Sequence, residues 1–326
     1  MTTKNTLLLF LSLALLSLSG CNNQQNKKQQ SNNISGDLII FHAGSLSVPF
    51  KQVAAEFKKE HPNVNILPES AGSVKCARKI VDLNRPCDIM ASADYTVIDN
   101  MLIPDYASWN IKFASNEMCI VYSEKSKHAE EINKDNWYDI LLKDDVIYGR
   151  SNPNLDPCGY RAIIVSKLAE LYYSKPELAD KILSKDNLYI RPKEVDLLAL
   201  LEAGTIDYIF LYRSVAQQHN LKYLILPDEI NLKSPEFADF YKKASVDIAG
   251  KTPDSKVTKH GEPMVYGITI PKSSPNPKAA MAFVKFLLSK DKGMAIMNKN
   301  GQPSVIPSKT SSYDNLPDEL KQFATK

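Results

Sequence analysis

From Gly36 onward the chain repeats one pattern: a short apolar run, a loop of small or hydroxyl residues, then a stretch with apolar residues at helical spacing. The first cycle is "DLIIFHAGSLSVPFKQVAAEFKKE", with Phe50, Val53, Ala54 and Phe57 at i, i+3, i+4 and i+7 and Pro49 suited to a first helical turn. "NVNILPESAGS" leads into the helix "VKCARKIVDL", and "CDIMASADY" into another through "TVIDNML". Such alternation predicts an α/β fold with parallel-rich sheets flanked by helices. Ligands of such sheets bind where the carboxyl ends of the strands run into loops. Those loops hold Ser45 and Ser47, Ser70 and Ser73, and Ser92. A helix start presents N–H groups without intrahelical partners, so each loop suits either an anion or a plain serine cap, with Ser47 the obvious cap.

A second unit begins near "FASNEMCIVYSEKS" and takes in "VIYGRSNPNLDPCGYRAIIVSKLAELYY" and "EVDLLALLEAGTIDYIFLYRSVAQQH", where Gly204 ends a helix. The pattern turns strand-like again at "PMVYGITIPKSS", before a single helix "PKAAMAFVKFLLSKDKGMAIM". The simplest arrangement is two lobes with the chain crossing between them, one from residues 37–115 plus 268–326 and the other from 116–267. A length of 326 residues with 44% hydrophobic content supports two cores. The 40 Lys+Arg and 37 Asp+Glu are dispersed and leave a net charge of only +3, so no basic face for nucleic acid is expected and any anion specificity must be local.

Residues 1–20 read as an export signal, with Lys4 ahead of "LLLFLSLALLSL", an apolar stretch too short for a comfortable membrane span. The closing "LSGC" resembles a bacterial lipoprotein signal, which implies cleavage before Cys21, lipidation of that thiol, and residues 21–36 as a flexible tether. The other cysteines, Cys76, Cys87, Cys119 and Cys158, show neither a CxxC pair nor zinc spacing with histidine, so no metal cofactor is expected. In an oxidising compartment Cys76 and Cys87 could form a disulfide closing a short loop. An exported hydrolase with Cys158 or a serine as nucleophile is a rival, but the chain has no G-x-S-x-G elbow and no local Cys/His signature.

Six motifs in order, "FHAGSLSVPF", "PESAGSV", "MASADY", "NPNLDPCGYR", "LLALLEAGTIDYIFLYRSVAQQH" and "YGITIPK", resemble the molybdate/tungstate-binding proteins of ABC importers, above all the archaeal subgroup that coordinates the oxyanion with carboxylates. The resemblance runs from Asp37 to about Val305. It implies a type II periplasmic-binding-protein fold with a ligand cleft between the lobes. It also implies a monomeric receptor without catalytic residues, partnered by a membrane permease and its ATPase. Residue by residue, Gly44 and Ser45 resemble the first donors, and Ser70 the second-loop donor. Asp156, Pro157 and Cys158 match the segment that gives one carboxylate and further donors, and Tyr212 a hydroxyl donor. Counting back from Tyr212 places the second carboxylate at Glu194, with Glu202 the rival, because the chain is shorter than its archaeal relatives just there. Sulfate or phosphate is the alternative cargo.

Overall fold

Two five-stranded sheets organise the computed structural model, which describes residues 34–185, 187–250 and 254–326. The export signal, Cys21 and nearly all of the tether lie outside the described residues. In chain order, β1 (Gly36–His42), β2 (Val64–Ser70), β3 (Ile89–Ser92) and β4 (Ile111–Ser115) belong to the first sheet. The chain crosses at Asn116 and Glu117 into the second sheet, made of β5 (Met118–Tyr122), β6 (Tyr148–Ser151), β7 (Ile190–Arg191), β8 (Tyr208–Tyr212) and β9 (Lys222–Ile225). A hairpin of β10 (Ser245–Ala249) and β11 (Lys256–His260) follows, and the chain returns through β12 (Val265–Thr269), which inserts between β3 and β4.

The sheets are mixed, where the alternation predicted parallel-rich ones. β1 is parallel to β2 and β3, but β12 runs antiparallel to β3 and β4. Likewise β6 is parallel to β7 and β8 while β5 is antiparallel to β8 and β9. The strands next to the crossings enter from the other lobe, and their direction opposes that of the strand–helix–strand units. The return crossing also falls before residue 268, because all of Val265–Thr269 pairs within the first sheet. The C-terminal segment is stitched to that sheet by the Ala114–Ser304 bridge and by Ser308, whose hydroxyl donates to the Lys112 carbonyl at 2.6 Å.

The helix Ser47–Glu60 buries Phe50, Val53 and Phe57, the spacing read from the sequence. Phe57 meets Phe283 and Phe286 edge-on at 5.2 and 5.6 Å between ring centroids, and each such buried side chain contributes about 1.5–3 kcal/mol of hydrophobic stabilisation. The predicted late helix is two, Pro277–Leu288 and Gly293–Lys299. The helix Pro157–Tyr172 is buried on most of its circumference, as befits an element apolar on nearly all sides.

Cys76 and Cys87 are free buried thiols, so the expected bridge is not formed. Cys76 Sγ is directed at the His42 carbonyl and Cys87 Sγ at the Ile89 carbonyl, at 3.6 and 3.1 Å. Their helix-and-loop setting, rather than their spacing, decides where the sulfurs point.

Candidate functional site

The carboxyl ends of six strands converge between the lobes. β1 leads to Gly44 and Ser45, β2 to Gly72 and Ser73, and β3 to Asp94; from the other side β6 leads to Asp156, β7 to Glu194, and β8 ends at Tyr212. Two glycines set how closely the lobes approach. A Cβ on Gly44 would lie 2.7 Å from Glu194 Oε2, and one on Gly72 would lie 2.2 Å from the Leu155 carbonyl oxygen. The Lys75 amide donates across the lobes to that same carbonyl at 3.2 Å.

Asp156 and Glu194 are 1% and 0% exposed and lie against each other. Asp156 caps the helix Pro157–Tyr172: its Oδ1 accepts from the Cys158 amide at 3.3 Å, while its Oδ2 accepts from the Glu194 amide at 2.8 Å. Neither Glu194 oxygen has a well-formed hydrogen bond, although the Ser45 amide and the Asp156 carboxyl lie close to it. No ion pair reaches either acid among the described residues. Burial pushes the Glu194 carboxyl well above the usual carboxylate range, the Asp156 charge pushes it further, and the Ser45 amide offsets only a part. Asp156 is raised as well, by burial first, with its amide donors opposing. A buried acid without a donor or cation is unfavourable by several kcal/mol unless something completes it.

Neutral hydrogen-bond donors surround this pair. Ser45 Oγ accepts from the Tyr266 hydroxyl at 3.0 Å, so its own proton is free for another acceptor. The Tyr212 hydroxyl, fully buried at the end of β8, accepts from Arg161 Nη1 at 3.0 Å and likewise keeps its proton to donate. Ser151 Oγ is buried beside Asp156 and Cys158. Cys158 Sγ is directed at the Phe210 carbonyl at 3.5 Å, and burial pushes its thiol far above the usual range, which disfavours the thiolate a nucleophile needs.

Three sequence assignments change in place or role. Ser70 faces away from the acids: its hydroxyl accepts from Ser47 Oγ at 3.1 Å, and both line a surface groove with His42, Phe50 and Lys51. Ser47 therefore does not cap its helix, which has Leu46 at that position. Ser73, fully buried and next to the Gly72 contact, is the second-loop hydroxyl that the fold brings to the lobe interface, and its Oγ accepts from the Ala93 amide at 2.9 Å. Pro157 has no N–H and serves to start the helix rather than to donate. Glu202, the rival for the second carboxylate, is exposed at the far end of Leu198–Glu202.

A second buried cluster adjoins the site, and no single sequence motif points to it. Asp94 Oδ2 receives Lys259 Nζ at 3.1 Å and the Tyr160 hydroxyl, while Oδ1 receives the Thr96 amide at 2.9 Å. Lys259 and Arg161 outweigh burial and hold the Asp94 carboxyl well below its usual range.

The family model of bacterial extracellular solute-binding proteins matches residues 38–302. An uncharacterized solute-binding protein of Petrotoga mobilis is 52% identical over 293 residues, covering 89% of this chain and 90% of that protein. The molybdate/tungstate-binding protein WtpA of Pyrococcus abyssi is 45% identical over 311 residues, covering 87% and 88% of the two chains. Among solved structures, the periplasmic molybdate-binding protein of Azotobacter vinelandii superposes with a TM-score of 0.61 at 18% identity, over 83% of this chain and 99% of that one, a likeness of fold.

Proposed function

The chain belongs to the bacterial extracellular solute-binding proteins, and we propose that it captures tungstate or molybdate between its lobes and delivers the anion to an ABC permease. Relatives named for that cargo support the reading. The observation that carries it is the Asp156–Glu194 pair, two buried acids flanked by neutral donors and, in Glu194, left without a cation or a well-formed hydrogen bond.

Two carboxylates beside a dianion repel it, and at about 4 Å and an effective dielectric near 20 each carboxylate–dianion contact costs about 8 kcal/mol, twice the value for two unit charges. A site for sulfate, which carries no proton to donate to a carboxylate at neutral pH, would not be built that way. Hexavalent molybdenum and tungsten are empty-shell Lewis acids that accept more than four oxygens, so the oxygens of Asp156 and Glu194 can bond to the metal itself, and hard oxygen ligands suit it. Sulfate sulfur accepts no such ligands, and the acids that complete one cargo exclude the other. Gly44, Ser45, Ser73 and Tyr212 supply amide or hydroxyl protons to the oxo groups, while the Cys158 amide stays on Asp156. Such neutral donors permit release to the permease.

Export with lipidation of Cys21 would tether the receptor, as a non-catalytic monomer, at the membrane that holds its permease. Calorimetric titration tests the proposal: tungstate or molybdate is expected to bind one per chain and to raise the melting temperature by mass action, with sulfate and phosphate binding at least about a hundredfold more weakly. Equal affinity for sulfate would overturn it.

A further inference from the structure

Arg161 joins the two buried clusters. It lies on the Pro157–Tyr172 helix, is 3% exposed, and its Nη1 donates both to the Ala93 carbonyl in the first lobe, at 2.8 Å, and to the Tyr212 hydroxyl in the second, at 3.0 Å. Ala93 directly precedes Asp94, whose other cation, Lys259, and whose partner Tyr160 also belong to the second lobe. The first lobe thus presents a carbonyl and a carboxylate to second-lobe donors, and these contacts exist only while the lobes are together.

An arginine side chain has donors and no acceptor, so the Tyr212 oxygen can only accept from it, and the phenolic proton is left for a different partner. The charges of Asp156 and Glu194 bear on that hydroxyl directly. The guanidinium also lies 5.8 Å from the Tyr212 ring centroid, which fixes the ring and the donor together.

We propose that Arg161 is a positioning residue that couples lobe closure to retention of the oxyanion: the Ala93 carbonyl and the Asp94 charge fix the guanidinium when the lobes meet, and the fixed guanidinium holds the Tyr212 hydroxyl as a donor to the cargo. This rests on the oxyanion reading above. Parting the lobes removes the first-lobe acceptor and leaves Tyr212 with a loosened support. The coupling runs through discrete hydrogen bonds with two arrangements, lobes together and lobes apart. It acts after capture, so it falls on the release rate rather than on association.

The test is a double-mutant cycle on tungstate dissociation, followed by rapid filtration and elemental analysis of tungsten, in wild type, Arg161→Lys, Tyr212→Phe and the double variant. Lysine keeps a countercharge for Asp94 but is too short to reproduce both bonds. Arg161→Lys is expected to speed release about tenfold with association unchanged, and to add less than about twofold in the Tyr212→Phe background. An additive effect in that background, or no change in release, would overturn the role of Arg161. If Arg161→Lys fails to fold, Asp94→Asn replaces it with the same expected and contrary results. A wild-type protein that binds neither tungstate nor molybdate overturns the oxyanion reading and this proposal with it, whereas wild-type binding with an additive cycle overturns this proposal alone.

Discussion

Two buried acidic clusters lie where the lobes meet, and they are finished to different degrees. Asp94 has two hydroxyls, an amide and the Lys259 ammonium on its carboxylate, with the Arg161 guanidinium nearby. Glu194 has another acid beside it, no cation and no well-formed hydrogen bond, with the nearby Ser45 amide offsetting only a part of its burial. The same burial that Asp94 meets with partners raises the acid of Glu194. The difference separates a contact that completes itself when the lobes come together from one whose completion depends on a guest. Stability belongs to the first, and recognition to the second.

Removing the acids is expected to move stability in opposite directions. Asp94→Ala strands Lys259 and Arg161 in a buried setting, a loss of about 3–5 kcal/mol when one partner of a buried ion pair is deleted. Thermal melts should show it, or scattering should show the lobes parted where opening relieves the stranded charges. Glu194→Gln keeps shape and removes an uncompensated acid, so the ligand-free protein should become more stable by about 1–3 kcal/mol. Tungstate affinity should fall at least about a hundredfold in the same variant. A Glu194→Gln protein that is destabilised and still binds tungstate would erase the contrast between the clusters.

Glu262 sharpens the comparison through pH. Tyr95 donates to it at 3.1 Å, and burial, reinforced by the Asp94 charge, raises its carboxyl to about 7. With the native value above the unfolded one, the folded protein binds the extra proton between about pH 4.5 and 7, so this group favours folding at the acid end and its penalty grows as pH rises through 7. Glu262→Gln should stabilise the fold at pH 8 by about 1–2 kcal/mol once partial exposure is allowed for, read as a higher melting temperature, and change little at pH 4.5.

Two serines give the smallest and most discriminating effect. Ser73→Ala should weaken tungstate binding about ten- to a hundredfold, the worth of one hydrogen bond to a charged group. Ser70→Ala should leave affinity unchanged and stability within about 0.5 kcal/mol, as for a surface substitution. The reverse outcome would return the second-loop donor to Ser70.

Much of this was legible in the chain itself. The strand–loop–helix cycles placed the loops, and Asp156, Glu194 and Tyr212 do meet between the lobes. Ser70 and Ser73 were not separable, because they lie three apart in one loop and only the end of β2 decides which faces the acids: Ser70 is still in register with His42 on the strand, whereas Ser73 opens the next helix. The Asp94 cluster was not legible as a cluster because Asp94, in "MASADY", Tyr160 and Arg161, in "NPNLDPCGYR", and Lys259 are far apart in sequence, and each alone reads as a cap or a surface charge. The crossing strands make the sheets mixed rather than parallel-rich for a related reason: direction in a sheet depends on which lobe a strand enters from, and local periodicity does not carry that.

X-ray absorption at the tungsten edge of the tungstate-loaded protein tests the role of the acid pair most directly. Bonding of Asp156 and Glu194 to the metal predicts about six oxygen neighbours, with Glu194→Gln losing the longer ones. A regular tetrahedron of four short oxygens in the wild-type protein would contradict carboxylate coordination.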